Sequence, residues 1–287
     1  MTAARLELLL AALLFSTGGA AMKATSLTNW QVAGFRSAVA AVVLALATRT
    51  GRRFSWRTWL VGVAYGTTLV TFVTANKLTT AANAVFLQAA APLYLLAGGA
   101  FLPGERAHGR DLAFMVPIVV GLVLLFASVG EATATAPNRP LGNLIGAFSG
   151  LSWAFTIGGL RWLGRRGEAG ASAAAATVCG NVLAAAVSLP LALPVSGAGP
   201  VDWAVVLYLG SFQVGLAYVL VSRAIAHVPA FEASLLLLAE PALSPLWAWW
   251  VHGEAPGALA LVGGAIILAA TAARAGGRGG RGRDEGL

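Results

Sequence analysis

Residues 233–254 read ASLLLLAEPALSPLWAWWVHGE, and residues 84–105 read AVFLQAAAPLYLLAGGAFLPGE. Laid side by side at a fixed offset of 149 (84 onto 233), Ala84/Ala233, Ala90/Ala239, Pro92/Pro241, Gly104/Gly253 and Glu105/Glu254 coincide without a gap. A second match, Phe15-Ser16-Thr17-Gly18-Gly19 with Phe155-Thr156-Ile157-Gly158-Gly159, lies at offset 140 (15 onto 155). Either match alone is within reach of chance. Both together, in the same order along the chain, indicate an internal repeat, with loop insertions accounting for the change of offset.

The medium around this repeat follows from composition. The chain has 287 residues, 58% hydrophobic and 10% charged, whereas soluble domains carry about 25% charged residues. Such a chain cannot cover a water-facing surface, so the lipid bilayer is the expected surrounding. A helix crossing the hydrocarbon core needs about 20 apolar residues. Ten segments qualify: roughly 6–25, 30–48, 58–77, 80–102, 112–130, 141–161, 172–194, 202–222, 229–251 and 256–274. Helix punctuation falls at their starts, with Thr28-Asn29 before Trp30 and Pro140, Pro229 and Pro256 opening the sixth, ninth and tenth. In lipid every backbone polar group must be satisfied within its own segment, which selects helices. Arg5, an apolar run and Gly18-Gly19-Ala20-Ala21 also fit a cleaved signal peptide. The internal copy of that segment argues instead for a retained helix.

Charge placement tests the segmentation. With the amino terminus in the cytoplasm, the cytoplasmic regions hold Arg5; Arg49, Arg52, Arg53 and Arg57; Arg106 and Arg110; Arg161, Arg165 and Arg166; Arg223; and Arg274, Arg278, Arg281 and Arg283. These are 15 of the 19 lysines and arginines, with Lys23, Lys77 and Arg139 near the other face and Arg36 within the second helix. The positive-inside rule then places both termini in the cytoplasm, as expected for a multi-pass protein of the cell (inner) membrane. A miscounted helix would have destroyed the alternation beyond it. The net charge of +8 is thus a topological signal spread over loops, and no nucleic-acid partner is expected.

Other chemistries fall away on residue types. Lys23 and Lys77 are the only lysines and neither follows a glycine, so no phosphate-binding loop exists. A single cysteine, Cys179, excludes an internal disulfide and a cysteine-built zinc site. His108, His227 and His252 lie far apart near segment ends, so neither a metal nor a cofactor is expected. Gly150-Leu151-Ser152 resembles an intramembrane serine-protease signature, but no histidine falls within a membrane segment to serve as its base, and an enzyme is not expected.

Five helices per repeat is an odd number, so the second copy enters the membrane from the opposite side. Inverted repeats of this kind build secondary transporters, with the substrate site near the midplane between the halves. The fold expected is therefore an all-α integral membrane protein of ten transmembrane helices in two inverted five-helix repeats, 1–135 and 136–274, followed by a disordered Gly/Arg-rich cytoplasmic tail, 275–287. The pattern Ala-x(7)-Pro-x(11)-Gly-Glu at Ala84–Glu105, with Leu238-Ala239-Glu240-Pro241 running to Gly253-Glu254, resembles the EamA-type pattern of the drug/metabolite transporter superfamily. The resemblance covers almost the whole chain. It implies ten helices, cytoplasmic termini and, most often, export of amino acids or related metabolites. In the first repeat the Glu240 position is Ala91.

Of the eleven carboxylates, Glu240 alone falls mid-helix in this segmentation. A charge at that depth costs about 2.5–3.5 kcal/mol on insertion scales. It either binds a cationic group of the substrate or carries a proton, or else it is a packing residue beside the break at Pro241. Pro92 and Pro241 each release the carbonyl four residues back, at Gln88 and Leu237, and are candidate hinges. Glu105 and Glu254 are read as carboxylates at the amino termini of the following helices. The remaining polar residues of the segments are Lys23, Arg36, Tyr65, Asn76, Asn83, Gln88, Tyr94, Ser152, Trp153, Asn181, Gln213 and Tyr218. From these, Lys23, Asn83, Gln88, Tyr94, Trp153 and Tyr218 join Glu240 as expected substrate-binding residues. Arg36 lies about 9 Å along the second helix, at 1.5 Å per residue, and can snorkel outward. The function expected is alternating-access transport of a small metabolite, an amino acid or related compound, as monomer or homodimer. A passive channel or lipid scramblase is the alternative.

Overall fold

The structure is a computed structural model that describes residues 3–48, 54–97, 109–127, 133–163, 169–224, 236–237 and 239–279. The elements in chain order are α1 (Ala3–Ser16), α2 (Gly18–Lys23), α3 (Asn29–Thr48), α4 (Trp56–Leu78), α5 (Ala81–Ala89), α6 (Ala91–Ala97), α7 (Gly109–Ala127), α8 (Arg139–Leu163), α9 (Ala169–Ala192), α10 (Pro200–Tyr208), a π-helix (Leu209–Leu216), α11 (Ala217–Ala224), α12 (Ala239–His252) and α13 (Ala258–Gly279). Among the described residues there is no strand, only an isolated bridge between Thr133 and Ala136. Five spans are long and apolar enough to cross a bilayer: Ala3–Lys23, Asn29–Thr48, Trp56–Leu78, Ala173–Ala192 and Pro200–Val221. The chain is a multi-pass helical membrane protein.

Local chemistry sets the helix starts. Ser55 Oγ accepts from the Thr58 backbone N–H at 3.3 Å while Thr58 Oγ1 accepts from Ser55 N–H at 2.8 Å, a reciprocal cap on α4. Thr28 and Gln31 make the same exchange at the head of α3. Pro200 opens α10, and Asp202 Oδ2 accepts from Gly199 N–H at 2.9 Å. Within α4 the hydroxyls of Thr67, Thr68, Thr71 and Thr74 donate to carbonyls one turn back, so a Thr-rich helix brings few unmet polar groups into an apolar medium.

Three expected helices are interrupted. The first breaks at Thr17, between α1 and α2, where Ser16 and Thr17 both turn their hydroxyls back to the carbonyls of Leu13 and Leu14. The fourth breaks at Ala90, whose N–H bonds Leu87 O at 3.3 Å, two residues before Pro92. The eighth widens into the π-helix between α10 and α11. At the other end of the chain, α13 runs to Gly279, so the first five residues of the expected tail, 275–279, are helical. The alanines at 269, 270, 272, 273 and 275 favour helix strongly enough to carry it on.

Helix packing pairs elements in a reciprocal way. α4 packs on α8 and α1 on α11; α5 packs on α8 and α12 on α1; α4 packs on α9 and the π-helix on α3. α3 meets α9, and α7 meets α13. Exchanging the first five expected segments for the last five maps this list of contacts onto itself. Close approaches sit at these crossings. A Cβ on Gly121 would lie 2.7 Å from Gly263 O, and one on Gly263 would lie 2.7 Å from Gly121 O. A Cβ on Gly66 would lie 2.8 Å from Gly180 O. Small residues let apolar helices approach to backbone contact, the packing mode available within lipid.

The connections at one end of the bundle are knitted together. Lys77 donates to Thr25 O at 2.7 Å, Asn138 N–H to Leu78 O at 3.0 Å, and Gln31 Nε2 to Ala192 O at 3.0 Å. Asp202 accepts from Thr25 Oγ1 at 2.6 Å and from Ser26 N–H at 2.7 Å. Loops after the first, third, fifth and seventh expected helices therefore share one end.

Candidate functional site

At the middle of the bundle, two tyrosines from helices that exchange under this pairing meet. The rings of Tyr65 (α4) and Tyr218 (α11) lie edge to face, with centroids 5.4 Å apart. Phe15, near the end of α1, stands 5.2 Å from Tyr218, and Trp153 of α8 stands 6.4 Å from Tyr65. Asn181 of α9 stands beside Tyr65, and Arg36 of α3 lies within electrostatic reach of both Tyr65 and Tyr218. Each half thus supplies a tyrosine and, from its second helix, a polar residue near the pair. Glu240, in the first turn of α12, acts on Tyr218 electrostatically together with Arg36.

The irregular segments deliver further polar groups here. Gln213 lies inside the π-helix, where the extra residue per turn shifts its side chain toward the break in the first helix. Its Nε2 donates to Phe15 O at 3.5 Å, and a Cβ on Gly18 would sit 2.6 Å from that nitrogen. Ser16, at the same break, accepts from Trp247 Nε1 at 2.9 Å. Arg36 is buried at 1% exposure, with Nη2 donating to Leu69 O at 3.2 Å and Nη1 lying 3.9 Å from Met22 Sδ. Among the described residues no carboxylate pairs with it. Its expected outward snorkelling is not what the structure has: it points inward, because its azimuth on α3 faces the core rather than the lipid.

The expected site residues fall in three places. Trp153, Tyr218 and Glu240 belong to the aromatic centre. Asn83, Gln88 and Tyr94 lie between α5, α6 and α8. Asn83 Nδ2 donates to Asn143 Oδ1 at 3.1 Å, Gln88 Nε2 donates to Ser149 Oγ at 3.1 Å, and the Tyr94 ring packs on Gly150. Asn143 also accepts from Thr79 Oγ1 at 2.7 Å, and Ser149 donates to Thr68 O at 3.4 Å, so these amides tie helices together. Lys23 is elsewhere again, at the knitted end. It pairs with Glu254 at 3.1 Å with both side chains buried, and donates to Thr79 O at 2.8 Å and to Thr135 O. The sequence places Glu254 at the amino terminus of the helix that follows it. It instead accepts from Ala81 N–H at 3.0 Å, at the amino terminus of α5. The chain turns at Gly253, φ +64°, and this aims the carboxylate back across the halves.

Pro92 is the second residue of α6, just past the break at Ala90, and Pro241 is the third residue of α12. Both stand in a first turn, where proline costs little; the proline interior to α12 is Pro245. Glu105 lies outside the described residues. Phe15, Arg36, Tyr65, Asn181 and Gln213 are the central residues that the sequence did not single out as substrate-binding. All but Phe15 were legible as polar residues within apolar segments. Phe15 carried only the repeat motif as its signal.

Comparison with known proteins agrees with this architecture. A solved crystal structure that is 24% identical in sequence superposes with a TM-score of 0.61, covering 94% of this chain and 95% of the other. An uncharacterized transporter of Archaeoglobus fulgidus is 28% identical over 202 residues, 70% of each chain. The aromatic amino acid exporter YddG of Ancylobacter novellus is 28% identical over 275 residues, 93% of this chain and 88% of its own. The EamA-like transporter family matches twice, at residues 4–127 and 140–273. These relatives are transporters and not enzymes, and the chain belongs to the EamA-like transporter family.

Proposed function

We propose that this membrane transporter is a secondary exporter of amino acids or related small metabolites in the cell membrane, working by alternating access between two inverted five-helix repeats. The observation that carries the reading is the convergence of Phe15, Arg36 and Tyr65 from one half with Trp153, Gln213, Tyr218 and Glu240 from the other on a single centre. A site built half from each repeat is the one place that a rocking motion exposes first to one side and then to the other. The reciprocal helix pairing supports the two-fold relation. Wide aromatic faces with a few polar groups at their edges suit an amphipathic metabolite, and the YddG relative extends the reading to aromatic amino acids. Pro92 and Pro241 adjoin the segments that would flex, and Glu240 is the candidate for the substrate's ammonium or for a coupled proton. Lys23 acts in this scheme at the closed outer end, while Asn83, Gln88 and Tyr94 hold α5 and α6 against α8 beside the path.

The test is counterflow in proteoliposomes: vesicles preloaded with an unlabelled amino acid should transiently concentrate the same labelled amino acid, with saturation. Linear, non-saturating flux without counterflow would turn the reading toward a channel.

A further inference from the structure

Arg36 is a buried cation whose surroundings do not neutralise it. A guanidinium has five N–H donors in a planar fork and no acceptor. Here one donor meets the carbonyl of Leu69 at 3.2 Å and another meets only the thioether of Met22 at 3.9 Å, a weak acceptor. Nε is buried without a partner. Gln213 Oε1, across the π-helix that packs on α3, is likewise buried without one. Buried polar groups are expensive to leave unpaired, and a buried charge most of all.

The repeat sharpens the point. Asn181 of α9 stands beside Tyr65, and Arg36 of α3 acts on both Tyr65 and Tyr218, so the second helix of the other half brings a neutral amide to the same tyrosine pair. Packing at such a position therefore does not demand a positive charge. We infer that Arg36 is an anion site that takes the carboxylate of the transported metabolite, whose apolar body lies against Phe15, Tyr65, Trp153 and Tyr218. The bidentate match between guanidinium and carboxylate gives the strongest neutralisation the fork can make. Glu240, which also acts on Tyr218, is then left for a cationic group, so the centre suits a zwitterion with an aromatic or large apolar side chain. This inference rests on the exporter reading for its ligand and adds the residue that recognises it.

The experiment uses the purified full-length protein and three probes: phenylalanine, 3-phenylpropionate, which lacks the ammonium, and phenethylamine, which lacks the carboxylate. Binding is followed by the thermal shift of the protein. Arg36→Gln should weaken 3-phenylpropionate about tenfold or more, the scale of one charge-assisted hydrogen bond, and leave phenethylamine, which has Glu240, unchanged. Arg36→Lys, which keeps the charge, should weaken the acid less and likewise spare the amine. No binding of the acid by wild type, an acid affinity unchanged in Arg36→Gln, or an equal loss of acid and amine in either variant would overturn the proposal. Arg36→Lys decides the matter even if Arg36→Gln does not fold. Counterflow of phenylalanine is the separate arm. Its absence with the acid-selective loss intact overturns the exporter reading and leaves the anion site standing.

Discussion

Arg36 of α3 and Glu240 of α12 both act electrostatically on Tyr218. Sequence could supply the list of polar residues within apolar segments, because a carboxylate or guanidinium among leucines is conspicuous. It could not supply their azimuth. Arg36 lies about 9 Å along its helix whether it faces lipid or core, and α3 is apolar on nearly every face, so no amphipathic stripe marks the inner side. The same limit applies to Asn83 and Gln88, which have the composition of a binding site but spend their amide hydrogens on Asn143 and Ser149. Glu240 is the residue whose reading is most readily tested. If it carries a proton through the cycle, Glu240→Gln removes the pH dependence of counterflow while the protein stays folded in the membrane. The charged and titratable groups around it are Tyr218 and, beyond that ring, Arg36 and Tyr65. Counterflow measured across pH in the two proteins decides this, and a pH profile unchanged by the substitution removes the proton role.

Interruptions divide the first, fourth and eighth expected helices. The Phe15–Gly19 motif, legible as a repeat, falls on a break in its first copy and inside the continuous α8 in its second. Pattern alone did not tell these apart. The π-helix at Leu209–Leu216 left a faint trace, Gly210 and Gly215, each a site of backbone approach to α3 near Val39 and Val43. Two consequences belong to this scale. Gly121→Val places a side chain where its Cβ already falls 2.7 Å from the Gly263 carbonyl, so α7 and α13 must separate. Overpacking of this kind costs about 1–3 kcal/mol and should lower the thermal midpoint in detergent. The Lys23–Glu254 pair joins the end of α2 to the loop after α12 and to the amino terminus of α5. Breaking one partner of a buried pair costs about 3–5 kcal/mol. In a Cys179→Ala background carrying Ala81→Cys, Lys23→Ala should therefore speed labelling by a membrane-impermeant maleimide, because Ala81 is fully buried while the pair holds. The swap Lys23→Glu with Glu254→Lys should restore the slow rate. An unchanged rate would mean that the pair does not hold this end shut.

At the scale of the whole molecule, the relation between the halves is carried by physics that acts on every helix. If each half holds five crossings, the chain returns to the membrane face opposite its start, and a second copy is then built upside down. Charge counting on the sequence assigned the faces, and the structure brings the connections after the first, third, fifth and seventh expected segments to one end through Lys77, Asn138, Asp202 and Lys23. The crossing of Gly121 and Gly263, each facing the other's carbonyl at the same distance, is what two equivalent helices meeting on a two-fold axis would make. Topology then becomes a strict prediction. With Cys179 replaced by alanine, single cysteines at Thr2, Thr133 and Gly286 sample the start of the first half, the junction and the end of the second. Thr133 is exposed, and if each half holds five crossings it lies on the opposite face from both ends. A membrane-impermeant maleimide added to intact cells should label Thr133→Cys alone, and inside-out vesicles should reverse the pattern. Ends found on different faces would mean an odd number of crossings. A junction found on the same face as the ends would give each half an even number, and either result removes the inverted relation on which a shared central site depends.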